Sequence, residues 1–298
     1  MIIVYKILLF VFFIISTSAF AFESEKQSIN IALYGLDKNT ASTKTVKKML
    51  LKLFKKIEKL ENFNVNTFFY KNEKELIRDF ISNKKKFDIL YTVPITFIKN
   101  HKTFYKYGND FVTLKNHDKY KEYYLIKNKN LKIKSLKGME NKKLVTASSD
   151  ELSRIWLDYI FLSETKKSYK FYIKQSAEHF KMYKRVLDVY FDKTDFAVVH
   201  KNIWDTTIEL NPNITKKIEI FRKSKQIFPG IIGVFHRDVN KDLIRTYNEF
   251  IQNPKNKEYI HTLLNLVKLN SVEVIKKHDY QKSVEFYLKY KKMKEKLK

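Results

Sequence analysis

The chain has 298 residues, 44% hydrophobic and 15% aromatic, with five Gly, four Pro and no Cys. This is enough apolar material for a sizeable core in one or two domains. So few glycines exclude Gly-rich phosphate loops, and the lack of Cys excludes disulfides, thiol chemistry and a lipid-modified N-terminal Cys. The formal charge of +27 comes from 59 Lys+Arg against 32 Asp+Glu. The lysines are spread along the chain among many Ile, Asn, Phe and Tyr, the usage of an A/T-rich genome. Most of the charge therefore reads as solvated surface, with a functional basic field as the lesser reading. Nucleic acid is not an expected partner.

Met1–Ala21 has one Lys before an apolar run, Ile7–Ile15, and ends in Ala19-Phe20-Ala21, an A-x-A pattern. That is a cleavable secretory signal, too short and too quickly followed by polar sequence to be a membrane span. Cleavage after Ala21 would place a mature chain from Phe22 in the periplasm.

Ser28–Leu36 alternates and predicts a strand. Lys44–Leu60 predicts an amphipathic helix, and Phe63–Tyr70 a second strand. Asn72 is placed to cap a helix over Glu73–Lys85, with Leu76, Ile77, Phe80 and Ile81 inward. Phe87–Val93 predicts a third strand, stopped at Pro94. Strand and helix alternating across short loops is the pattern of a parallel sheet covered by helices. Phe111–Lys127 breaks this rhythm with two extended, aromatic-rich pieces. A second series follows: strand Lys142–Ala147, helix Asp150–Leu162, strand Tyr169–Ile173, helix Ala177–Asp188, strand Thr194–Val199 and a helix from about Ile203. Ile218–Phe221 and Ile231–Phe235 read as strands. Lys241–Gln252, Lys255–Lys268 and Tyr280–Lys298 read as helices, the last with a fraying tail, and the first unit is the natural place for them to pack.

The strand Lys142–Ala147 runs through Ser148-Ser149 straight into a helix opening on Asp150-Glu151. Such a turn offers unpaired N–H groups and the positive end of a helix dipole, where a small hydroxyl residue can cap the helix or hold a ligand. Arg154, one turn on, can neutralise an anion or pair with Asp150. Seven scattered His show no ligand-spaced pair on one helix face, so no metal site is expected. No Gly-flanked nucleophile accompanies them, so no catalytic residue is assigned.

With its export signal, this plan resembles the periplasmic substrate-binding proteins of ABC transporters, and more narrowly their phosphate/phosphite/phosphonate branch. The resemblance rests on Asp88–Thr96 (DILYTVPIT), on Tyr123–Lys129 with the following IKSLKGMENKKLV, on the Ser148-Ser149-Asp150-Glu151 turn, on His179, on Thr194–Ala197 and on Asp279-Tyr280. It implies an α/β, two-lobed type II periplasmic-binding-protein fold, each lobe a mostly parallel sheet flanked by helices, with a hinge of crossing strands. Residues 22–112 with 224–298 would form lobe 1 and residues 113–223 lobe 2. It also implies a non-catalytic monomer without cofactor that binds a small anion in an interlobe cleft and delivers it to an ABC permease. A sensor for a membrane receptor and an exported hydrolase are the alternatives. The ligand-binding residues implied are Ser149, Ser148, His179, Tyr120, Tyr91, Thr92, Arg154 and Asp150. The two acids of the turn would repel a dianion unless they point away.

Overall fold

A computed structural model describes residues 28–35, 64–115, 118–147, 150–178, 182–252 and 271–297, with the single positions 48, 51, 254 and 264. In chain order the elements are β1 (Ser28–Tyr34), β2 (Asn64–Tyr70), α1 (Glu73–Ser82), β3 (Ile89–Thr92), α2 (Pro94–Lys99), α3 (His101–Tyr107), β4 (Gly108–Lys115), β5 (Tyr120–Lys121), β6 (Tyr123–Asn128) and β7 (Lys142–Thr146). They continue with α4 (Glu151–Thr165), β8 (Ile173–Glu178), α5 (Met182–Tyr190), β9 (Phe196–His200), α6 (Lys201–Leu210), α7 (Ile214–Lys217), β10 (Ile218–Lys223), β11 (Phe228–Pro229), β12 (Ile231–His236), α8 (Lys241–Gln252), β13 (Ser271–Ile275) and α9 (Gln281–Glu295). The signal sequence, the helix expected over 44–60 and nearly all of that over 255–268 lie outside the described residues.

The chain forms two compact units. The first holds the described residues up to Lys119 with Pro229–Gln281, and the second holds Tyr120–Phe228 with Lys282–Lys298. The first unit's sheet has the order β13-β4-β12-β3-β1-β2. β1 lies parallel to β2 and β3, and β12 pairs antiparallel with β3 and β4. Ile29, Ile31, Leu33, Ile89, Val112 and Phe235 bury one face of it against Val239 and Ile244. Asn72 caps α1 as its sequence position suggests, its side chain accepting from the Lys74 and Glu75 N–H groups. Leu76 and Phe80 are fully buried, whereas Ile81 is exposed.

The second unit's sheet has the order β10-β6-β9-β7-β8. β7 is parallel to both β8 and β9, while β6 is antiparallel to β9 and β10. Its core is built from Ile126, Val145, Ala197 and Val199 on the strands with Val186, Val189 and Trp204 from the helices.

Four features differ from the expectations or add to them. Pro94 stops β3 but also starts α2 at its first turn, and α3 follows at once; a ring with fixed φ and no N–H suits a helix start as well as a strand end. Tyr169–Phe171 is a 3-10 turn, and the strand follows it at Ile173–Glu178, so Ala177 and Glu178 belong to β8 rather than to a helix. Ser271–Ile275 is an edge strand on β4. The last helix groups with the second unit, not the first, and stays helical to Glu295.

Asp158 explains two of these changes. It is 4% exposed in the middle of α4. Its Oδ1 accepts from the Ser168 hydroxyl at 2.5 Å and the Tyr169 N–H at 3.2 Å, which curls that segment into a turn. Its Oδ2 accepts from Tyr290 at 3.0 Å and lies 3.1 Å from Lys294 Nζ, which anchors α9. Phe286 adds ring contacts with Tyr159 and Phe228 at 4.9 and 5.1 Å. Burial and the Asp158 carboxylate push the Tyr290 phenol upward, so it remains a donor.

Removing one member of such a buried set strands the others. Asp158→Ala should therefore lower the second unit's stability by about 3 kcal/mol, and Tyr290→Phe by about 1 kcal/mol. Urea unfolding followed by tryptophan fluorescence reads this out, since Trp156 and Trp204 both lie in that unit. An unmoved midpoint for Asp158→Ala would exclude the carboxylate as an anchor.

Candidate ligand site at the carboxyl edge of the second unit

The carboxyl ends of parallel strands are where open α/β sheets collect ligands. In the second unit β7 ends there shortly before α4 begins, and β9 ends there at His200. β6 runs the other way and starts at the same edge, with Tyr123 directly opposite His200. Three backbone segments thus converge, and their side chains meet on Asp150. This residue caps α4, its Oδ1 accepting from the Ser153 N–H at 3.1 Å. The same oxygen accepts from the Tyr123 hydroxyl at 3.2 Å, and Oδ2 lies 2.6 Å from His200 Nε2. Tyr123 is itself packed between Trp156 and Phe228, with centroid distances of 6.0 and 4.8 Å.

Arg185, on α5, is fully buried in the same unit. Its Nη1 donates to the Val198 carbonyl at 2.5 Å, while Nε and Nη2 have no hydrogen-bond partner among the described residues. A guanidinium in that setting needs a counter-charge, and Asp150 lies within its electrostatic reach.

Burial opposes ionisation of Asp150, but the His200 hydrogen bond, the attraction of Lys121 and the Ser153 N–H outweigh it, holding the carboxyl well below the usual range. Burial also lowers the imidazole of His200, more than Asp150 raises it. The pair is thus a carboxylate accepting from a neutral imidazole. Burial, reinforced by Asp150, pushes the Tyr123 phenol well above 10.0, so it stays protonated. Asp150 therefore faces inward, occupied by three donors, with Arg185 and Lys121 within electrostatic reach of its charge. That answers the repulsion expected from the sequence for Asp150.

Ser148, Ser149 and His179 lie outside the described residues. Arg154 is partly buried, and its Nη1 donates to the Ala147 carbonyl, so its head bends back toward the end of β7. Tyr120 is partly buried in β5, its carbonyl accepting from Gln226 Nε2 at 3.2 Å. Tyr91 and Thr92 end β3 in the first unit. Tyr91 stands opposite Gly233 and packs against the core, so close that a Cβ there would lie 2.8 Å from the ring. Thr92 is fully buried, its Oγ1 without a hydrogen-bond partner among the described residues. His200 and Arg185 were not singled out by sequence. A signal for Arg185 existed: it occupies an apolar position of an amphipathic stripe, beside Val186 and four residues before Val189.

The sequence pattern of one family, described as "ABC transporter, phosphonate, periplasmic substrate-binding protein", matches residues 34–280. The chain belongs to that family. It is thus a periplasmic substrate-binding component that works with an ABC permease on small anions. Solved structures agree on the fold. A binding-protein component of an ABC phosphonate transporter from Pseudomonas aeruginosa superposes with a TM-score of 0.58 at 14% identity, over 91% of this chain and 88% of that one. PhnD1 from Prochlorococcus marinus, in complex with methylphosphonate, gives 0.57 at 16% identity, over 89% and 99%. XAC2383 from Xanthomonas citri, bound to ATP, gives 0.60 at 7% identity, over 91% and 99%. These place the chain in the type II periplasmic-binding-protein fold. No curated protein sequence matches it. Among the described residues no helix is long and apolar enough to cross a membrane.

Two titrations carry a sign. His200 and Asp150 both have lowered pKa values in the folded protein, so the unfolded chain binds more protons and stability falls as acid is added. The loss starts below about pH 6.5 from His200 and resumes below about pH 4 from Asp150. His236, buried in the first unit and lowered mainly by desolvation, adds to the first step. His200→Gln should flatten, without abolishing, the fall in urea midpoint between about pH 7.5 and 5. A slope identical to that of the unmodified protein would mean that His200 binds its proton equally well in the folded and unfolded chains.

Proposed function

We propose that the protein captures a phosphonate-class oxyanion and that the carboxyl edge of the second unit supplies the main part of its site. The observation that carries this reading is the inward-turned, neutralised Asp150. An acid that is already satisfied and turned inward does not set its charge against a ligand, so the remaining N–H groups and the positive end of α4 favour a compact, doubly charged oxyanion. The Ser148 and Ser149 hydroxyls, His179 and Arg154 are the side chains we assign to the ligand there. Tyr120, Tyr91 and Thr92 are assigned from the family pattern, and Asp150 positions the turn. Family membership and the methylphosphonate held by the Prochlorococcus marinus protein favour a C–P oxyanion over phosphate.

Binding and release are the whole of the activity in this reading: no catalytic residue is assigned, the protein works as a monomer without cofactor, and the mature chain begins at Phe22 after cleavage at Ala21. Ligand favours the conformers that make most contacts to it, and the permease recognises those conformers.

Thermal unfolding of the mature protein, refolded once to strip ligand, tests the ligand class. Methylphosphonate at ~100 times its dissociation constant should stabilise the protein by about 2.7 kcal/mol. Phosphate should act more weakly and acetate not at all. Ser149→Ala combined with His179→Ala should erase the shift and leave the ligand-free melt in place. Stabilisation by carboxylates or amines alone would overturn the oxyanion reading, and an undiminished shift in the double variant would move the site elsewhere.

A further inference from the structure

The opposite edge of the second unit's sheet has a different chemistry. There the parallel strands β7, β8, β9 and β10 begin and the antiparallel β6 ends, with Lys127 opposite Glu219, Asn128 opposite Ile218 and Lys142 opposite Ile173. Four loops therefore gather at this edge: 129–141, 166–172, 191–195 and 211–217. Backbone bonds knit them, from Lys129 N to the Lys217 carbonyl and from Asn141 N to the Tyr172 carbonyl, both at 2.8 Å.

These loops carry ten lysines and three acids, against 59 Lys+Arg and 32 Asp+Glu for the whole chain, so the edge is more basic than composition accounts for. Two of the three acids are used internally. Asp192 accepts from Asn128 and pairs with Lys217, both at 2.5 Å, and Asp195 accepts from the Lys143 N–H at 2.7 Å. Lys132, Lys134, Lys167, Lys170, Lys193 and Lys216 are exposed, and no ion pair with another described residue holds them.

Large apolar side chains stand out among these lysines. Phe171 is 73% exposed, Phe191 59% and Leu210, the last residue of α6, 81%. Phe171 carries the Lys167 ammonium 4.5 Å above its ring, and Phe191 meets Tyr190 edge-on at 5.2 Å. Isolated exposed apolar residues are ordinary, but three on one sheet edge inside a lysine field are not. Exposed aromatics with surrounding lysines are what seat a protein on an anionic lipid surface. The rings enter the headgroup boundary while the ammonium groups meet the phosphates.

We propose that this edge docks the protein on anionic phospholipid membrane, with the sheet's ligand-collecting edge directed away from the lipid. The interaction is peripheral and reversible, because it joins three shallow apolar anchors to a field that salt screens. A permease surface would also attract this edge, but dispersed exposed lysines with separate apolar side chains among them suit a fluid, uniformly anionic surface better.

Flotation of the mature protein with vesicles tests this. Vesicles of phosphatidylcholine with about one-third phosphatidylglycerol should carry the protein at about 50 mM salt, and at least about tenfold less at about 500 mM salt or with pure phosphatidylcholine. Lys167→Glu with Lys170→Glu should reduce flotation several-fold, as should Phe171→Ser with Phe191→Ser, which leaves the charge unchanged. Lys102→Glu with Lys241→Glu, exposed lysines of the first unit, should have little effect. Since every substituted side chain is exposed, an unchanged melting curve certifies each fold. Absence of flotation at low salt overturns the proposal, as does an equal loss in the first-unit control, which would reduce the effect to net charge. Binding only to membranes that contain the permease would assign the edge to a protein partner and overturn it as well.

Discussion

The second unit depends on how one carboxylate is satisfied. Asp150 stands where β7 turns into α4, and its two oxygens take the Ser153 N–H, the Tyr123 hydroxyl and His200 Nε2. Each donor comes from a different segment, so one side chain fixes the relative placement of α4, β6 and β9. Arg185 beneath them has a buried charge that the described hydrogen bonds do not complete. A buried ion set of this kind adds little net stability against an apolar alternative, but it is costly to break and specifies one arrangement. For the anion site proposed here this has a use: the charge of the acid that caps the helix is taken up by Tyr123, His200 and the Ser153 N–H.

Asp158 plays the corresponding part at the other end of the same helix. It fixes the turn that feeds β8 and draws α9 onto the second unit through Tyr290 and Lys294. Asp150 at the cap and Asp158 within α4 are thus both spent inside the protein. The two edges of the sheet consequently diverge in character. One gathers a buried cluster of charges and donors around Asp150, while the other exposes lysines and aromatics among three acids, two of which are occupied.

Much of this was legible in the chain. The alternation of β1, the Asn72 cap, the helix 241–252 and the strand–turn–helix around Asp150 follow from local rules of periodicity and capping, and each is where those rules put it. The misplacements share a cause. Tyr169–Phe171 has strand-forming residues, but a carboxylate ten residues away claims the Ser168 hydroxyl and the Tyr169 N–H. Ser271–Ile275 became a strand because β4, with Lys115 opposite Ser271 and Phe111 opposite Ile275, offers an edge far away in the chain. Neither partner can be seen in a local window.

The candidate site divides in the same way. The sequence by itself determined the strand-to-helix turn, the export signal pattern, the family and the kinds of group that could meet an anion, because these depend on short-range spacing and residue chemistry. Only the tertiary structure decided that Asp150 faces His200 and Tyr123, that Arg185 lies buried in the same unit, and that scattered lysines gather on one edge. Those outcomes depend on which strands become neighbours and in what register, and register is set by the packing of whole faces rather than by any residue near the site.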